Sequence, residues 1–160
     1  MATFSNTYAS LASRTPSVST TELLAELVPP REFAQASFKN YIPHAEYPSQ
    51  ASAVDIAKAF ASSKSVRTSL FARKAVSSTG LYLDGGFGVG KTHLLAAVYH
   101  SFSGKKAFGS FIAFTSLIGA LGFAKAKDEL SKYSLICIDE FELDDPGDTM
   151  IMSRLLNELS

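Results

Sequence analysis

The stretch Leu81 to Tyr99, LYLDGGFGVGKTHLLAAVY, constrains the fold more than any other part of the chain. Within it Gly85, Gly90, Lys91 and Thr92 complete the pattern G-x-x-x-x-G-K-T. A pair of phosphates packs several negative charges into a small volume. Backbone N–H groups surround such an anion only where no side chain blocks the approach, which calls for Gly85, Gly86, Gly88 and Gly90, with Phe87 and Val89 between them. A helix after the loop aims its N-terminus, with unpaired N–H groups and a partial positive charge, at the same anion. Lys91 adds a mobile positive charge, the Thr92 hydroxyl is placed to hold Mg²⁺, and His93 is positioned to cap or line the site. Tyr82 and Leu83 lie in a short apolar run that reads as a buried strand entering the loop. Leu94 to Val98 read as a helix packed on a sheet. Gly86, Gly88 and Gly90 are spaced two apart, so the dinucleotide fingerprint G-x-G-x-x-G is absent.

A second motif fits the first. Ser134 to Glu140, SLICIDE, is an unbroken apolar run ending in Asp-Glu, the Walker B pattern. A strand covered on both faces need not alternate in polarity. Its C-terminal end delivers Asp139 to a Mg²⁺ shell, and Glu140 stands where it orients and deprotonates an attacking water. Together the motifs predict an α/β chain of the P-loop NTPase class: a parallel sheet flanked by helices, binding a nucleoside triphosphate and Mg²⁺.

Composition sets the outer limits. The chain has 160 residues, 46% hydrophobic and 19% charged, with 15 Lys plus Arg balancing 15 Asp plus Glu. No global field favours nucleic acid or acidic lipid. No apolar run approaches the ~18 residues of a membrane span. The single cysteine, Cys137, excludes an internal disulfide framework and suits a reducing, cytoplasmic setting. Three regions are expected: a mostly disordered tail with a short helix (1–30), a lead-in segment and helix (31–78), and the beginning of a P-loop domain (79–160). The Ser- and Thr-rich tail also leaves room for a mitochondrial transit peptide, although Arg14 is its one basic residue.

Several local expectations follow. A short helix from Glu22 is capped by Thr20 or Thr21. Arg31 to Tyr47 reads as an extended lead-in anchored by Phe33, Phe38, Tyr41 and Tyr47. Ser49 caps a helix over Gln50–Ala61, with Val54, Ile56, Ala57 and Phe60 inward; Gln50 is either a first-turn polar residue or an adenine-reading group. Lys64, Arg67, Arg73 and Lys74 form a basic cluster that reads as a solvated face or a weak nucleic-acid patch. His44 and His100 carry no metal-ligand spacing. Gly104 closes the helix after the loop. Ala107 to Phe114 reads as the second strand, followed by a helix capped at Thr115 or Ser116, and Lys125 to Lys132 as exposed helical turns. Asp145-Pro146 starts a final helix with Ile151, Met152, Leu155, Leu156 and Leu159 on one face.

With these motifs placed, the chain resembles the ZapE family of P-loop ATPases, AAA+-related proteins linked to bacterial cell division, with relatives in mitochondria. The resemblance runs from about Phe38 to Ser160. It is carried by LYLDGGFGVGKTHLL (81–95), FGSFIAFTSLIGALGF (108–123) and LICIDEFELDDPGDTMIMSRLL (135–156). The likeness implies an ATP site of Gly85 to Thr92 with Asp139 and Glu140, and turnover coupled to remodelling of a protein partner, with the division ring as candidate. It also implies a possible homo-oligomer whose neighbouring subunit supplies an arginine. Such ATPases need a further strand with a polar sensor residue, lying between the loop strand and the Walker B strand, and then arginines. None is found before Ser160, so the resemblance predicts an N-terminal portion of a longer protein, incomplete at its C-terminus and weak in hydrolysis alone. Two other functions stay open: a DNA-linked AAA+ protein of the helicase-loader or initiator kind, and a nucleotide-binding module without turnover.

Overall fold

A computed structural model describes residues 19–65 and 80–159. Residues 1–18 of the tail, and Arg67, Arg73 and Lys74 of the basic cluster, lie outside the described residues. The described chain is α/β: two parallel strands, β1 (Lys106–Ser110) and β2 (Leu135–Asp139), flanked by helices on both faces. Their register pairs Ala107 with Ile136 and Ser110 with Asp139.

Alternation along the strands sorts their side chains into two cores. Ala107, Ile136 and Ile138 face one layer. There they meet α4 (Phe111–Leu121), α5 (Phe123–Leu130) and α6 (Pro146–Leu159) through Phe114, Leu117, Leu130, Met152 and Leu155. Phe108, Leu135 and Cys137 face the other, against α2 (Pro48–Ser65) and α3 (Lys91–Ser101), through Ala57, Ala61, Ala96 and Val98. Both faces of the sheet are therefore covered, which is why its strands are apolar without a polar side. Cys137 is 2% exposed. Burial pushes its thiol up to about 12, so it is packing rather than a reactive group.

The outer edge of β1 is met by the turn after α1 (Thr20–Ala25). The Phe108 N–H donates to the Leu27 carbonyl at 3.0 Å. A Cβ on Gly109 would lie 3.2 Å from Leu27 Cδ2, so the strand is glycine where this turn crosses it. Among the described residues, the far edge of β2 carries no strand.

Several boundaries differ from the sequence expectations. The cap of α1 is Ser19, not a threonine: its hydroxyl accepts from the Glu22 N–H while Glu22 reaches back to the Ser19 N–H, a reciprocal capping box. Helix α2 starts at Pro48, ahead of Ser49, with proline in the first turn where no N–H is needed. Val54 and Ala57 are buried on it, but Ile56 is 56% exposed. Helix α3 ends at Ser101 with Phe102 as its cap, short of Gly104, whose lack of a Cβ leaves room for the Phe102 ring. The second strand is five residues long and stops at Ser110. Ser110 Oγ accepts from the Ala113 N–H at 3.2 Å and begins α4, so Phe111 to Phe114 are helical and the cap lies upstream of Thr115 and Ser116. The lead-in is not simply extended, since Arg31–Phe33 form a 3₁₀ turn.

The largest correction concerns Leu81 to Asp84. This segment is not a strand, and Tyr82 is 76% exposed. A strand exists through its ladder, and no described strand lies beside this one. Only Leu81 packs partly against the core that holds Phe108. Among the described residues, no helix is long and apolar enough to cross a membrane.

Candidate functional site

The loop between Asp84 and α3 has the backbone its glycines permit. Gly85, Gly88 and Gly90 have φ of 152°, 72° and 87°, a region L-residues with a Cβ rarely occupy. Gly90 is the N-cap of α3 and supplies no side-chain hydrogen bond to it. The first-turn N–H groups of α3 therefore have no side-chain cap and face out at the helix's positive end. The Lys91 ammonium turns back over the loop and donates to the carbonyls of Gly85 (2.7 Å) and Gly86 (2.8 Å). Thr92 follows in the same first turn, and the Gly85 N–H is held by Asp84 Oδ1 at 2.8 Å.

The connection from Phe102 to Lys105 is short, so α3 runs back along β1 and its N-terminus comes to the edge where β1 and β2 end. Asp139 is the last residue of β2, and Glu140 follows it exposed. Glu140 is the one non-glycine with positive φ among the described residues, at 49°. Its carbonyl accepts from the Glu142 N–H at 2.8 Å, a tight turn immediately after the strand. Phe141 then packs edge-on against Phe111 at 5.3 Å. Neither acid forms an ion pair with Lys91 among the described residues.

Sequence reasoning missed how closely the lead-in is built into this site. The Tyr41 hydroxyl donates to the Val89 carbonyl at 2.7 Å. A Cβ on Gly90 would come within 2.6 Å of Tyr41 Cε2, so the ring lies directly on the loop's last glycine. His93 Nε2 lies 2.9 Å from Asn40 Oδ1 and 3.1 Å from the Ser37 carbonyl; both are acceptors, which makes this nitrogen the protonated one. Asn40 Oδ1 also accepts from the Ser37 N–H and hydroxyl, and its amide donates to the Gln35 carbonyl. His93 thus fastens α3 to the lead-in.

Between the lead-in, the start of α2 and the loop lies an open cavity of about 520 Å³. Asn40, Tyr41, Ile42, His44, Tyr47 and Gln50 line one side; Phe87, Gly88, Val89, Gly90 and His93 line the other. Gln50 Oε1 accepts from the His44 N–H at 2.7 Å, and Tyr47 stacks at a tilt on His44, 5.2 Å between centroids. Phe87 at the loop tip is fully exposed. His100 lies away from this cavity, against the Phe33 carbonyl at 3.0 Å. Among the described residues, no group of three His, Cys, Asp or Glu side chains is placed to hold a metal ion. Any divalent ion here would instead need a hydroxyl, a single carboxylate and ligand oxygens.

Comparison with curated proteins found no match, and neither did comparison with solved structures. The family model described as AFG1-like ATPase matches residues 17–160. That match takes in the glycine loop, both strands and every described helix, and the chain belongs to the AFG1-like ATPase family of P-loop ATPases.

Proposed function

We propose that this chain carries the nucleotide site of a Mg²⁺-dependent ATPase that couples ATP turnover to remodelling of a protein partner, as in the ZapE-type ATPases of cell division that it resembles. The observation that carries this reading is the glycine loop itself: three residues in glycine-favoured conformations, a helix N-terminus and the Lys91 ammonium converge on one small volume.

The roles follow from position. The backbone N–H groups of Gly85 to Thr92 bind the β- and γ-phosphates, and Lys91 exchanges its loop carbonyls for phosphate oxygens. The Thr92 hydroxyl and the Asp139 carboxylate are the hard oxygen donors that would hold Mg²⁺, which when bound supplies neutralising charge at the phosphates. Glu140 takes a proton from water as the water oxygen bonds to the γ-phosphorus, and the bond to the β,γ-bridging oxygen breaks to release ADP. The cavity beside Tyr41, Tyr47 and Gln50 has the size and the mixed aromatic and polar lining to receive the base.

The test compares the wild type with Lys91→Ala and Glu140→Gln in nucleotide binding and phosphate release. Lys91→Ala should weaken ATP binding at least tenfold. Glu140→Gln should leave binding within about twofold and abolish turnover. Turnover that survives Glu140→Gln refutes the assigned base. A wild type that binds nucleotide but never turns it over supports the binding-module reading. Salt-dependent DNA binding would favour the helicase-loader reading.

A further inference from the structure

We propose that Tyr41, from the lead-in and distant in sequence from the glycine loop, is a positioning residue for the phosphate site. It holds the Val89–Gly90 peptide with its N–H turned to the anion. The proposal rests on the glycine loop being a phosphate site.

The argument is geometric. A trans peptide is planar, and its C=O and N–H point to opposite sides. The Val89 carbonyl is fixed by the Tyr41 hydroxyl at 2.7 Å. The N–H of the same peptide belongs to Gly90 and is therefore directed away from Tyr41. Gly90 is the cap of α3 and the glycine immediately before Lys91, so its N–H stands among the groups that meet a phosphate. Val89 and Gly90 flank this peptide, and Gly90 has φ of 87°. A glycine on the C-terminal side tolerates either sign of φ, so the plane can turn there, and a turn of half a revolution would present a carbonyl to the anion in place of a donor. The tyrosine removes that freedom at this peptide. Its ring also covers Gly90, 2.6 Å from where a Cβ would stand.

The tyrosine is itself held. Its ring meets His93 edge-on at 5.6 Å, and His93 is bonded to Asn40 and Ser37 of the same lead-in. The lead-in, Tyr41 and the first turn of α3 thus form one unit, and displacement of the lead-in would release the Val89–Gly90 peptide.

The test is an NMR titration of the full chain with inorganic tripolyphosphate and Mg²⁺, in the wild type and in Tyr41→Phe, which keeps the ring and removes the donor. Losing one orienting hydrogen bond should weaken binding about three- to tenfold. The downfield displacement of the Gly90 amide should shrink, while the Lys91 and Thr92 amides still move and the melting temperature changes little. Equal affinity and an unchanged Gly90 displacement in Tyr41→Phe would overturn the proposal and leave the phosphate site standing. A wild type that does not bind tripolyphosphate removes the site and the proposal together. A check without substitution keeps the test decisive if Tyr41→Phe does not fold. In the wild type the orientation of the Gly90 N–H bond relative to α3, read from residual dipolar couplings, should be the same with and without tripolyphosphate; an N–H that reorients shows a peptide turning on binding, against the proposal.

Discussion

Replacing Gly90 by alanine puts two separable costs on the folded chain. The first is backbone strain: φ of 87° is a conformation that a residue with a Cβ adopts at about 1–2 kcal/mol. The second is the Tyr41 ring, which would lie 2.6 Å from the new methyl and must move. The ring is tethered through its hydroxyl to Val89, so moving it breaks a partly buried hydrogen bond contributing about 1 kcal/mol. Alanine also narrows the unfolded ensemble, which returns about 0.4–1 kcal/mol. The net destabilisation expected is about 1–2.5 kcal/mol, or roughly 3–8 °C in Tm for a chain of this size. The chain has no tryptophan, so far-UV circular dichroism in urea is the suitable assay. A double-mutant cycle separates the two costs: against Tyr41→Ala the ring is gone, and Gly90→Ala should cost about 1 kcal/mol less than in the wild type. Gly86→Ala is the control, since its Cβ would meet nothing within 4 Å, and stability should stay within about 0.5 kcal/mol. A Gly90→Ala cost that is the same with and without the Tyr41 ring refutes the reasoning.

Two further predictions follow from the cores and helices. Gly119 lies exposed inside α4 with open space around it; Gly119→Ala should stabilise by about 0.5–1 kcal/mol, read as a rise in the urea midpoint. The Cys137 thiol has its folded pKa raised from 9.0 to about 12 by burial. Its neutral form is the one that folds, so its contribution is complete below about pH 9 and is lost progressively as pH rises toward 12. Stability of the wild type should therefore fall more steeply over that interval than stability of Cys137→Ala, measured as urea midpoints at matched pH.

What the sequence disclosed depends on how local each signal is. The glycine loop and the strand ending at Asp139 are contiguous, and their chemistry dictates residue type position by position, so both were legible. The β1–α4 boundary was not. Phe108, Phe111, Ile112 and Phe114 satisfy an apolar strand as well as a helix face, and only the Ser110 hydroxyl bonded to Ala113 decides between them. Leu81 to Leu83 carry strand-like residues, yet pairing is a property of a neighbour, which composition does not reveal. The Tyr41–Val89 and His93–Asn40 bonds join residues 48 and 53 positions apart. Tyrosine, asparagine and histidine in such a segment have many ordinary uses, and nothing near them in sequence points to the loop.

The hydrogen bond from Phe108 to Leu27 gives the sheet a direction of growth. The middle of β1 has its outward N–H occupied by a turn that is no strand, with the Leu27 side chain laid against Gly109. That flank is closed to templated addition, as edges exposed to other chains need to be. Along the opposite flank, beside β2, no strand is paired among the described residues. A strand that joined the sheet on this flank would lie beside the run that ends in Asp139. The Asp139 carboxylate would then lie at the seam between old and new strands, where arrival or departure of the newcomer is felt first.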